Sequence, residues 1–292
     1  MKILLRLFLI LALVIGGSVA YMITNEADYI FFPEKDIAQT PRNAGLSFTE
    51  QTFETKDGIK LHGWFMPQPR ARFTLLHLHG NAGNISDRIE QYRRWHDMGL
   101  AVFAFDYRGY GMSQGVPDEV GLQEDARTAW VFLTETLHIP AQRIIIAGRS
   151  LGGSVAAHLA SEVNPAGLVL EASFTSIPDM SADQYPWLPL RWFIKNRFDT
   201  ELALAKLKAP LLLISAREDE IIPGWMAERL FAAAPGEKLR GKLPGGHNDF
   251  DSVSPRSYLK LWEIWLDSLI QPEEEVPLKW VHDKGQPRQV WA

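Results

Sequence analysis

The 292-residue chain carries 46% hydrophobic and 22% charged residues, enough apolar side chain to fill the core of one generous α/β domain with attachments. A formal net charge of −5 argues against a nucleic-acid surface, so the local cluster Arg88, Arg93 and Arg94 reads as the wet side of a helix. Cysteine is absent, which excludes disulfides, thiolate metal sites and a cysteine nucleophile.

At the amino end, Lys2 and Arg6 precede or flank an uncharged apolar stretch running from Leu7 to Ile23. Two readings compete. Ser18-Val19-Ala20 has the small residues of a signal-peptide cleavage site. Alternatively the stretch is an uncleaved anchor, with Lys2 and Arg6 snorkelling to extend it. Apolar character continues through Tyr21, Met22 and Ile23, past the possible cut, and favours the anchor. Residues 1–24 are therefore predicted to hold the chain in a membrane, and 25–45 to form a linker. The flank Asn25-Glu26-Ala27-Asp28 lacks positive charge. The positive-inside bias then keeps the amino end cytoplasmic and sends the rest across the membrane, with secretion after cleavage as the alternative.

From about residue 46 short apolar runs alternate with helix-length segments. "SFTEQTFET" and "KLHGWFM" flank Asp57-Gly58 and predict a β-hairpin. "FTLLHLHG", "LAVFAFDY", "RIIIAG", "AGLVLEAS" and "APLLLISA" read as strands, and 85–98, 119–137, 151–162 and 225–233 as helices. Strands apolar throughout are covered on both faces, so the sheet is expected to be mostly parallel with helices on each side. Residues 175–198 break the alternation with three prolines, two tryptophans and no strand period. An insertion there overlies the carboxyl ends of the strands, where open α/β sheets bind ligands, and is predicted to be a small cap. In the last helix Tyr258, Leu261, Trp262, Trp265 and Leu269 fall on one stripe, which is core packing. Residues 271–292 are proline- and charge-rich and read as a peripheral tail.

One stretch carries chemistry. Gly148-Arg149-Ser150-Leu151-Gly152 matches the G-x-S-x-G nucleophile elbow and stands between a predicted strand and a predicted helix, the context that motif requires. A serine hydroxyl needs a base, and the base a carboxylate, in the chain order Ser, Asp or Glu, His. His247 lies in the loop "LPGGHNDF"; His158 sits within the helix after Ser150 and His282 in the tail. Asp219 in "REDEIIP" is the expected acid, with Glu218 and Glu220 solvated beside it and Glu171 in reserve. Two backbone donors must face the developing oxyanion. Leu151 supplies one and Asn81, in "HGNAGN", the other. His79 is expected to brace that loop, and His77 and His62 to be satisfied within strands.

Taken together, "HGNAGN", "FDYRGYGMSQG", "GRSLGG", "EASFTS", "EDEIIP" and "GGH" resemble the α/β-hydrolase superfamily, and more narrowly the bud-emergence-type serine hydrolases, over about residues 45 to 270. The resemblance implies an eight-stranded, mostly parallel sheet, serine hydrolase chemistry, an amino-terminal anchor, and structural roles for Asp106 and Arg108. It supports Ser150, Asp219 and His247 as triad and Asn81 and Leu151 as oxyanion donors. Arg149 departs from the smaller or uncharged residue common in such elbows; it either places charge beside the site or points to solvent. The expected activity is hydrolysis of a carboxylic ester or thioester through an acyl-serine, on a small-molecule or lipid-like acyl substrate. A peptidase on the same fold and a noncatalytic membrane adaptor are the alternatives. No metal-ligand spacing or dinucleotide fingerprint occurs, so no cofactor is expected.

Overall fold

A computed structural model describes residues 1–270 and the backbone of two three-residue strands, Val281–Asp283 and Gln286–Arg288. Most of the expected carboxyl-terminal tail, 271–292, lies outside the described residues.

Eight strands of the described chain form one sheet: β1 Thr49–Glu54, β2 Lys60–Met66, β3 Thr74–Leu78, β4 Ala101–Asp106, β5 Ile144–Arg149, β6 Gly167–Glu171, β7 Leu211–Ala216 and β8 Lys238–Leu243. Their spatial order is β8-β7-β6-β5-β3-β4-β2-β1. The hairpin β1–β2 is antiparallel and β2 meets β4 antiparallel; every other pairing is parallel. β3, β4 and β6 are buried along their whole length, whereas β1 buries only Phe53. Residues that alternate along a strand face opposite layers. Leu76, Phe103 and Ile146 enter one core with α4 (Glu119–Val131) and α5 (Leu151–Glu162). Leu75, Val102 and Ile145 enter the other, with α3 (Ile89–Asp97) and α10 (Pro255–Ser268). Tyr258, Trp262 and Trp265 of α10 are fully buried there, and Leu261 and Leu269 pack at the margin. Helix α4 begins on Asp118, whose carboxylate accepts the Gly121 N–H at 2.6 Å, and widens into a π-helical turn at Phe132–Thr136.

The insertion after β6 is helical. Ser176 caps α6 (Ile177–Gln184) by accepting the Asp179 N–H at 3.1 Å, and a 3₁₀ turn follows at Leu190–Trp192. Trp187, Trp192 and Phe193 are exposed on it.

Before the sheet, Lys2–Thr24 is one helix, long and apolar enough to cross a membrane or to serve as a signal sequence. A single residue, Asn25, separates it from the short helix Glu26–Ile30. The chain then lies against the body of the fold. Phe32–Pro33 pairs in parallel with Ala82–Gly83, and the Asn84 side chain donates to the carbonyls of Glu34 (3.2 Å) and Asp36 (2.8 Å).

Candidate active site

Strand β5 ends at Arg149, and the chain turns sharply at Ser150 into α5. Ser150 has φ 54° and ψ −120°, a left-handed conformation that costs a non-glycine residue about 1–3 kcal/mol. The turn is held from three sides: Ser150 N–H donates to the Glu171 carbonyl (2.9 Å), and the Ser150 carbonyl accepts from Gly153 N–H (3.0 Å) and the Ser173 hydroxyl (3.1 Å). Two flanking glycines are required sterically. A β-carbon at Gly148 would strike the Gly152 carbonyl, and one at Gly152 would strike the carbonyls of Leu78 and His79.

Opposite the elbow, His247 is buried on the loop after β8, and its Nδ1 lies 3.1 and 3.0 Å from the two carboxylate oxygens of Asp219, on the loop after β7. Asp219 also accepts the N–H groups of Ile221 (3.0 Å) and Ile222 (2.7 Å). Burial acts to raise its pKa, but the His247 contact and those two N–H groups outweigh it and hold the carboxyl below its ordinary value. The flanking acids Glu218 and Glu220 are exposed, as expected, and in addition brace the histidine loop. Glu218 accepts the Gly245 N–H at 2.7 Å and Glu220 the His247 N–H at 3.0 Å. The latter bond lowers the Glu220 pKa.

Of the two expectations for Arg149 the first holds: it lines the cavity beside Ser150 and is largely withdrawn from solvent. Its Nη2 donates to the His247 carbonyl at 2.9 Å, its Nη1 lies 3.5 Å from Asp251, and its guanidinium stacks 4.5 Å above the Phe250 ring. Arg94, expected on a wet helix face, pairs with the same Asp251. The reserve acid Glu171 is turned away from His247: it accepts from the Tyr258 hydroxyl (2.6 Å) and the Gln91 amide (3.1 Å) in the core beside α3 and α10. Burial pushes its carboxyl up.

Ser150, His247, Asn81 and Leu151 all line one cavity of about 600 Å³. Among the described residues no protein acceptor stands opposite the backbone N–H of Asn81 or of Leu151. Asn81 is anchored otherwise, by its side chain to the Ile30 carbonyl (2.9 Å) and by its carbonyl to Tyr110 (2.8 Å) and Phe32 N–H (2.9 Å). Beneath it, buried His79 bonds the Gly80 carbonyl through Nδ1 at 2.7 Å, with Nε2 3.6 Å from Asp106. Arg108 joins Asp125 and Asp57, tying the loop after β4 to α4 and to the β1–β2 turn. His62 and His77 sit within β2 and β3 as expected but are not satisfied there: both ring nitrogens of His62 and Nδ1 of His77 are buried with no hydrogen-bond partner among the described residues. His158 pairs with Glu162 on α5. His282 lies among residues whose side chains are outside the described structure.

A mostly parallel sheet of this order, with a serine on the turn after β5 and an acid and a histidine after β7 and β8, defines an α/β hydrolase. The sequence profile of serine aminopeptidase family S33 matches residues 68–202. An uncharacterized protein of Mycobacterium tuberculosis is 37% identical over 253 residues, covering 86% of this chain and 90% of that one. Protein bem46 of Schizosaccharomyces pombe is 34% identical over 223 residues, covering 72% and 74% respectively. The esterase Pf2001 of Pyrococcus furiosus superposes with a TM-score of 0.68 at 19% identity, over 83% of this chain and 98% of the esterase, a likeness of fold. The chain belongs to the bem46-type α/β-hydrolase family.

Proposed function

We propose that this hydrolase cleaves a carboxylic ester or thioester through an acyl-Ser150 intermediate. The observation that carries the reading is the convergence of Ser150, on its left-handed turn, and the His247–Asp219 pair on one cavity. His247 takes the Ser150 proton as Oγ bonds to the acyl carbon, and the backbone N–H groups of Asn81 and Leu151 receive the oxyanion. The bond to the leaving oxygen or sulfur then breaks, with the proton passing to that atom from His247. Water, deprotonated by His247, then attacks the acyl carbon, the bond to Ser150 Oγ breaks, and His247 returns the proton to Oγ as the acid is released. Asp219 holds the imidazole in one tautomer and stabilises its charged form.

The matched profile bears an aminopeptidase name, so a peptide substrate is the second reading. Recognition of a free amino terminus calls for a carboxylate in the site. Glu26 is the one acidic residue among those lining the cavity, and its oxygens are occupied by cap N–H groups, whereas Arg88 and Arg149 add positive charge. That balance favours an ester. In this reading residues 1–24 anchor the enzyme with its amino end cytoplasmic and residues 46–270 form the extracytoplasmic hydrolase domain. Assay of full-length protein on aryl esters, acyl thioesters and aminoacyl amides tests the proposal. Ester or thioester turnover lost in Ser150→Ala supports it; turnover of the amides alone refutes it.

A further inference from the structure

The wall of the cavity facing Ser150 is built by the end of the amino-terminal helix. Met22 and Ile23, in the last turn of Lys2–Thr24, line the same space as Ser150 and His247, as do Tyr29 and Ile30 of the next helix. These residues are fastened in place. The Glu26 carboxylate, 9% exposed, accepts the backbone N–H groups of Lys195 (3.0 Å) and Asn196 (2.7 Å) and the Asn196 side-chain amide (3.1 Å), clipping the helix to the cap. Phe31 packs edge-on against Phe198, ring centres 6.1 Å apart, and the Ile30 carbonyl accepts from Asn81 of the oxyanion loop. Burying a carboxylate and joining it to three N–H donors positions a chain segment far more firmly than a tether requires.

On the other side of that wall the helix runs outward, with apolar side chains exposed from Leu7 to Ile15 and Arg6 immediately before them. Exposed apolar side chains over that length belong in lipid. The cap adds exposed Trp187 and Trp192, the residue type that settles at a membrane–water boundary, with exposed Phe193 beside them. One residue, Asn25, separates the spanning helix from the cavity-lining one, so the leaflet surface and the site are adjacent.

We infer that Met22 and Ile23 form the acyl-chain wall of the active site and that the substrate is a long-chain fatty-acyl ester resident in the bilayer, entering from the leaflet along the amino-terminal helix. This rests on the acyl-Ser150 reading and deepens it. The volume, about 600 Å³, lies within the range of sites that enclose a small ligand. The chain passes from lipid to an apolar wall without crossing water, while the ester carbonyl reaches the serine.

Full-length protein in phosphatidylcholine vesicles provides the test, with 4-methylumbelliferyl palmitate in the same vesicles, the palmitate ester in separate vesicles, and 4-methylumbelliferyl butyrate in solution. Palmitate is expected to be cleaved at least about tenfold faster in the protein's own vesicles. Ile23→Trp, which fills the wall, is expected to lower the palmitate-to-butyrate ratio of kcat/KM by about 10- to 100-fold. Leu13→Trp, far out on the same helix, leaves the ratio unchanged. Equal palmitate rates from the two vesicle arrangements, or an unaltered ratio in Ile23→Trp, overturn the inference even though butyrate turnover remains Ser150-dependent. Absence of Ser150-dependent turnover of either ester in the wild type would instead defeat the hydrolase reading itself.

Discussion

Arg149 donates a hydrogen bond to the main-chain carbonyl of His247 at 2.9 Å, joining the residue beside the elbow serine to the loop that carries the imidazole. The same guanidinium reaches Asp251 and the Phe250 ring, so three contacts fix the loop from below. Arg149→Leu is expected to lower kcat about tenfold with KM little altered, because the imidazole loses its registration rather than its chemistry. Arg149→Lys keeps charge but not the planar fork and should recover part of the loss. Steady-state kinetics on a soluble ester check both variants.

The carboxylate behind His247 is asked to orient the ring and to stabilise its charged form. Asp219→Asn keeps the shape and removes the charge, and is expected to cost about 10³–10⁴-fold in kcat. Glu220→Gln retains an oxygen for the His247 N–H and should cost less than about tenfold. Comparable losses in the two variants would put the acid's role at the wrong residue.

The elbow glycines make a stability prediction. A methyl at Gly152 meets two backbone carbonyls, Leu78 and His79, that cannot move without disturbing the central strand. Gly152→Ala is expected to destabilise the fold by about 1–3 kcal/mol or more, read as a lower unfolding midpoint in detergent.

Asp106 makes a prediction about pH. Burial pushes its carboxyl from 3.8 up to about 7, with the Ile85 N–H opposing only part of the rise. Between about pH 4 and 7 the unfolded chain therefore gives up this proton first, and the group removes stability as pH rises. Neighbouring His79, whose pKa burial lowers from 6.5 to about 3, contributes the opposite slope over much of that window. Asp106→Asn deletes the first term and leaves the second. The stability of the variant relative to wild type should thus grow by roughly 2–4 kcal/mol from pH 4 to pH 7. Denaturant unfolding at several pH values reads that difference directly; a constant difference contradicts it.

Much of the architecture was legible because its signals are local. The unbroken apolar runs of β3 to β7, the Asp57-Gly58 turn and the stripe Tyr258-Trp262-Trp265 each declare burial on a definite face. The edge strand β8 carries no such signal, because Lys238, Arg240 and Lys242 alternate with apolar or small residues and give no continuous run. The elbow and the chain order name Ser150, Asp219 and His247 as candidates, and of these the structure pairs Asp219 with His247 and sets His247 and Ser150 on one cavity. The roles of Arg149, Glu218 and Glu220 could not be read that way, since each depends on how two loops far apart in sequence approach one another. Glu26 was hidden in a similar way: in the sequence it is one charge in a polar flank, and its partners lie about 170 residues downstream. Clues existed in hindsight, in an arginine beside an elbow serine and an acid at the exit of an apolar helix, but neither names a partner.

The account stands or falls on Ser150 as the nucleophile. Full-length protein treated with a fluorophosphonate should gain one adduct, located by peptide mass spectrometry on Ser150. Labelling should be absent from folded Ser150→Ala and strongly slowed in His247→Ala. A wild-type protein that stays folded yet takes no label, or takes it on another residue, contradicts the mechanism.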